Sequence, residues 1–89
     1  MTAWPKEYVR IPIVDDNGKW DTTTHTIEVY PTDGTYATDK INCTQMNSGF
    51  MYQPDSNLVA EKNYWVVKNG TNIYKLPALY SEPPIGDYS

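Results

Sequence analysis

Three observations predict a small all-β domain. Glycine closes turn-like clusters at Asp15-Asp16-Asn17-Gly18, Pro31-Thr32-Asp33-Gly34, Asn47-Ser48-Gly49 and Lys68-Asn69-Gly70, where Gly, Asn and Asp tolerate the left-handed backbone of tight reversals. Between these clusters, β-branched and aromatic residues alternate with polar ones, the two-residue period of a half-buried strand. No segment keeps apolar residues at helical spacing over a helix-length window, so helix is limited to a single short turn. The expected architecture is a small antiparallel meander, or a barrel or sandwich, of about five to seven short strands. Residues 1–76 form the single β domain and 77–89 an extended, Pro-rich C-terminal arm.

The first strand is expected over Glu7 to Val14, where Val9, Ile11 and Ile13 alternate with Tyr8, Arg10 and Pro12. Pro12 has no N–H to give a ladder, which assigns this strand to an edge or a bulge. A second strand is expected over about Lys19 to Tyr30, with His25, Ile27 and Val29 on one face. A two-residue turn at Asn17-Gly18 would set Ile11 against Thr24 and Val9 against Thr26, apolar face over polar face. An odd-length loop or a bulge near Trp20 is therefore expected, bringing Val9 opposite Ile27.

The middle of the chain holds a weaker strand at Ile41, Cys43 and Gln45, which Asn47-Ser48-Gly49 turns into Phe50-Met51-Tyr52. Asp55-Ser56-Asn57 reads as a loop before Leu58 and Val59. The clearest local signal is a hairpin over 64–76 with a type I′ turn at Asn69-Gly70, predicted to pair Trp65 with Tyr74 and Val66 with Ile73. Beyond Leu76, Pro77, Pro83 and Pro84 exclude regular pairing, while Leu79, Tyr80, Ile85 and Tyr88 stay apolar or aromatic. An arm of this kind packs across its own domain or reaches a neighbouring subunit.

Eighty-nine residues support one hydrophobic core and no second. With 39% hydrophobic residues, that core must lean on three Trp and eight Tyr, each large enough to bury about 150–250 Å². A single cysteine, Cys43, supplies no disulfide to reinforce it, which makes oligomerisation a natural remedy. Cys43 itself reads as a small buried apolar residue, in keeping with a reducing compartment. No apolar run follows a basic N-terminus and none has the length of a membrane span, so neither signal peptide nor membrane partner is expected. The net charge of -4 and the single spacing of six Lys and one Arg argue against a phosphate-tracking surface and hence against nucleic acid.

No catalytic constellation emerges. His25 is the only histidine and the natural candidate base, yet it sits on the apolar strand face beside Ile27, the position of a structural histidine. One His and one Cys cannot close a zinc site. Counting from Asp15, Lys19 and Trp20 fall where a calcium loop needs an oxygen ligand and a glycine, so that acidic segment is a turn. Phosphate-binding glycine loops are absent, and no cofactor is expected. Asn42-Cys43-Thr44 and Asn69-Gly70-Thr71 match the glycosylation sequon but lack a secretion signal. Eleven Trp and Tyr exceed what a small core hides, which points to contact chemistry. The candidate interaction residues are Trp4, Trp20, Trp65, Tyr74, Leu79, Tyr80, Ile85 and Tyr88.

Short Thr/Asn/Tyr-rich strands such as Thr22-Thr23-Thr24-His25-Thr26-Ile27, the glycine turns, the acidic balance and the Glu82-Pro83-Pro84 end together give a sequence that resembles the small accessory proteins of tailed-phage particles: head-decoration, head-fibre or tail-associated components. The resemblance is one of style over the whole length and carries no motif. It implies a non-catalytic structural subunit, in the virion or the host cytoplasm, with itself and other virion proteins as partners. Two further readings remain open at this point: a phage-encoded inhibitor that sequesters a host protein, and a small carbohydrate-binding module stacking sugars on Trp4, Trp20 or Trp65.

Overall fold

A computed structural model describes residues 3–76. The fold is all-β. Eight strands are present among these residues: β1 Ala3–Trp4, β2 Ile11–Pro12, β3 Ile27–Pro31, β4 Ile41–Gln45, β5 Met51–Pro54, β6 Leu58–Val59, β7 Tyr64–Lys68 and β8 Thr71–Leu76. Among the described residues helix is confined to one turn, α1 at Tyr36–Asp39, and a 3₁₀ turn at Lys6–Tyr8. β1 and β6 form a two-stranded sheet, and the other six strands form a curled antiparallel sheet in the order β2-β5-β4-β3-β7-β8.

One face of the curled sheet makes the core. Cross-strand registers align Val29 with Ile41 and with Val66, Tyr52 with Ile11, and Tyr64 with Leu76, so apolar side chains meet row by row on the concave side. Val9, Ile11, Ile13, Ile27, Val29, Tyr52, Leu58, Tyr64 and Val66 are buried together, with Trp4, Ile41, Cys43, Tyr74 and Leu76 packed against them. The convex side is covered where α1 crosses β3: the Tyr36 hydroxyl donates to Glu28 Oε1 at 2.7 Å, Tyr36 meets Tyr30 edge-on, and Lys40 lies 3.7 Å from Glu28 Oε2. Glu28 is buried and thereby keeps an ionic and a hydrogen-bonding partner, as a buried carboxylate requires. The same bond holds the Tyr36 hydroxyl above its ordinary range, with burial adding to the effect.

The first two predicted strands depart most from expectation. Glu7 to Val14 contains the end of the 3₁₀ turn and the two-residue β2, and Lys19 to Tyr30 is regular only from Ile27. The loop between them does have odd length: Gly18 N–H donates to Asp15 O and Asp15 N–H to Lys19 O, a three-residue reversal with Gly18 at φ 78°. Pairing continues through Val14 and Trp20 and the Asp21 N–H to Ile13 O bond, and then stops, so Val9 never faces Ile27. The reason is competition. Gln45 Nε2 donates to Thr22 O, Thr24 Oγ1 donates to Gln45 Oε1, and the Tyr52 hydroxyl accepts from His25 N–H. Residues 22–25 are thus drawn onto the β4–β5 hairpin, and β2 pairs with β5 instead. Val9 and Ile27 still share the core.

The β7–β8 hairpin has the expected turn, with Asn69 at φ 52° and Gly70 at φ 86°, but not the expected register throughout. Lys68 pairs with Thr71 and Val67 with Asn72; a bulge follows, after which Val66 faces Tyr74 and Trp65 faces Lys75. Trp65–Tyr74 and Val66–Ile73 are therefore not pairs. Without the bulge, Lys75 would lie opposite Tyr64 on the core face; the extra residue exchanges faces, sending Tyr74 and Leu76 inward and Lys75 out. Ile73 is the residue left over, 40% exposed.

Candidate interaction surface

The curl of the sheet brings its two ends together. The Tyr74 hydroxyl of β8 donates to Pro12 O of β2 at 3.0 Å, spanning a seam that no backbone ladder closes among the described residues. Burial, and after it the charge of Cys43, pushes the Tyr74 hydroxyl up to about 12, so it donates across the whole physiological range. Beside this contact lies a groove of about 580 Å³ lined by Val14, Asp16, Lys68, Asn72, Ile73 and Tyr74. Val14 and Ile73 are 47% and 40% exposed. Opposite Val14 in the bridge, Trp20 is 57% exposed and stacks on Phe50 with ring centroids 4.5 Å apart.

The segment that carries Trp20 is pinned from behind by His25. Thr26 N–H donates to Asn69 Oδ1 at 3.1 Å, which orients the amide so that Nδ2 donates to His25 Nδ1 at 3.2 Å. The other ring nitrogen, Nε2, then carries the proton and donates to Asp21 Oδ2 at 2.8 Å, with Lys68 Nζ 3.5 Å from the same oxygen. The His25 bond, with the Thr23 N–H bond next in weight, holds the Asp21 carboxyl at about 2, below its ordinary 3.8. Both imidazole nitrogens are engaged in tying the segment after Trp20 to the β7–β8 turn.

Cys43 is half-buried; burial first, and then the charges of Asp55 and Glu28, raise its thiol to about 12, far from a nucleophilic thiolate. Asp15 Oδ1 accepts from the Asn17 and Lys19 N–H groups, turning the acidic loop in on itself. A second cleft, of about 360 Å³, is lined by polar side chains including Lys6, Gln53 and Asp55.

Of the residues singled out by sequence, Tyr74 lines the seam groove and Trp20 faces its Val14 wall across the bridge. Trp4 is packed against the core. Trp65 lies on the opposite, convex face of β7, across from Tyr30 and under Lys75 Nζ at 5.7 Å from its ring centre. Leu79, Tyr80, Ile85 and Tyr88, with the predicted arm, lie outside the described residues. Val14, Ile73 and Phe50 were not singled out: Val14 ends an alternating run, and Ile73 is outward-facing because of the bulge. No helix among the described residues is long and apolar enough to cross a membrane. Compared with family models, curated proteins and solved structures, the sequence and its fold match none of them.

Proposed function

We propose that this protein is a non-catalytic structural protein that self-associates through β8 and the seam groove and serves as an accessory subunit of a phage particle. The observation that carries the self-association is the six-residue edge of β8, unpaired among the described residues, beside exposed Val14, Ile73 and Trp20. An unpaired edge next to apolar surface is a template for another strand. A second copy suits it. A two-fold axis at the centre of β8 sets Asn72 against Lys75 and Thr71 against Leu76 of the second copy, with no like charges opposed. The groove walls are also of opposite charge, Asp16 on one and Lys68 on the other, so each wall complements the other's counterpart. The phage setting rests on the stylistic resemblance of the sequence.

Light scattering across a concentration range tests the reading: a dimer or larger closed oligomer is expected, and co-purification with assembled particles is expected of an accessory subunit. A strict monomer that is excluded from particles contradicts it. Trp20, exposed and stiffened by Phe50, favours a second reading, a carbohydrate platform; a glycan array on which Trp20→Ala abolishes binding would select it.

A further inference from the structure

The sequence holds two Asn-Gly dipeptides, Asn17-Gly18 and Asn69-Gly70, and the fold treats them differently. In such a dipeptide the following backbone nitrogen can attack Cγ, the carbonyl carbon of the Asn amide. The new bond from that nitrogen to Cγ closes a five-membered succinimide and the Cγ–Nδ2 bond breaks, releasing ammonia. Water then opens the ring to aspartate or isoaspartate, adding one carboxylate. The reaction needs no enzyme and no oxidant, only an unhindered attacking nitrogen and an Asn amide free to rotate onto it.

Both glycines are sterically open, since a Cβ built on Gly18 or Gly70 would meet nothing within 4 Å; the Gly18 N–H makes one backbone bond, to Asp15 O at 3.0 Å, which attack at Asn17 must release. The asparagines differ. Asn17 is exposed, and its one hydrogen bond among the described residues is made by its backbone, whose N–H donates to Asp15 Oδ1. Asn69 is held at three points: its backbone N–H donates to Thr26 O, Oδ1 accepts from Thr26 N–H, and Nδ2 donates to His25 Nδ1. Attack at Asn69 must first release both ends of the amide.

We propose that Asn17 is a site of spontaneous deamidation with water as sole co-reactant, and that the His25–Thr26 clamp shields Asn69 from the same reaction. The product places a third carboxylate beside Asp15 and Asp16, at the rim of the seam groove that Asp16 lines. Surrendering two amide hydrogen bonds at Asn69, against the single Gly18 N–H bond at Asn17, slows Asn69 severalfold relative to Asn17.

The experiment is peptide mapping by mass spectrometry after incubation of the folded protein at mildly alkaline pH, with a urea-unfolded sample as reference. Conversion at Asn17 severalfold faster than at Asn69 in the folded protein, and comparable rates in urea, are expected. His25→Ala removes the acceptor of Asn69 Nδ2 and is expected to raise the folded-state rate at Asn69 severalfold while leaving Asn17 unchanged. Equal rates at the two sites in the folded protein, or a folded-state Asn17 as slow as Asn69, overturn the proposal.

Discussion

The two ends of the curled sheet are built on different principles. β2 has two residues, one of them a proline, and Ile11 and Ile13 on either side of Pro12 are fully buried. This edge offers little backbone to a neighbour and gives its side chains to the core. β8 has six residues, no proline, and Ile73 turned outward by the bulge. Proline and brevity are devices that stop a strand from pairing further; one end of this sheet has them and the other does not. Among the described residues the two ends of the sheet thus differ in how much backbone they leave unpaired, and the seam groove sits where these ends meet.

The sharpest way to break this comparison is to truncate one isoleucine from each end. Ile11→Ala removes a side chain with no exposure and is expected to cost about 2–5 kcal/mol of stability in urea unfolding. Ile73→Ala, at an exposed site, should stay within about 0.5 kcal/mol. Similar losses at the two positions would show that β8 is anchored in its own core as firmly as β2.

Next in size is the bond joining the two ends. Tyr74→Phe deletes the hydroxyl that donates to Pro12 O and is expected to cost about 0.5–1.5 kcal/mol. It also changes the alkaline limb. The folded Tyr74 hydroxyl titrates near 12, above its ordinary 10.0, so its contribution is complete below pH 10 and fades as pH rises through 12. Urea midpoints measured across that window should fall less steeply for Tyr74→Phe than for the parent. Cys43, raised from 9.0 to about 12, and the Tyr36 hydroxyl, also raised, contribute to the slope that remains.

The smallest expected effect lies at the end of the seam held by His25. The folded Asp21 carboxyl titrates near 2 against an ordinary 3.8, so it binds fewer protons than in the unfolded state. Its contribution is therefore complete above pH 3.8 and lost as pH falls through 2. Asp21→Asn should flatten the acid limb of the stability curve in that interval and leave stability near pH 9 to 10 on its parent slope. An unchanged acid limb would show that the His25 bond does not act on Asp21 as the geometry implies.

These two edges also mark what was legible in the sequence. The Asn69-Gly70 turn was readable because positive φ at two adjacent positions is a local property of Asn and Gly. Pro12 placed its strand at an edge for an equally local reason. The β7–β8 bulge is a tertiary outcome: it exists because Lys75 and Tyr74 compete for the core face, and the only hint was that the simple register set Lys75 against Tyr64. The pairing of β2 with β5 was illegible because the bonds that divert residues 22–25 come from Gln45 and Tyr52, far along the sequence. At the seam, Trp20 is an exposed aromatic residue, whereas Tyr74 turns inward and packs against the core. Val14 and Ile73 were missed because aliphatic residues in alternating runs read as core until the register is known.

Sedimentation velocity of the parent protein beside Ile73→Lys, over the same concentration range, tests the central claim most directly. The substitution puts a charge on the open edge without touching a buried side chain. A concentration-dependent dimer for the parent and a monomer of unchanged stability for Ile73→Lys is the predicted result. Identical sedimentation of the two, whether both monomeric or both associated, would contradict the assignment of β8 as the surface through which this protein assembles.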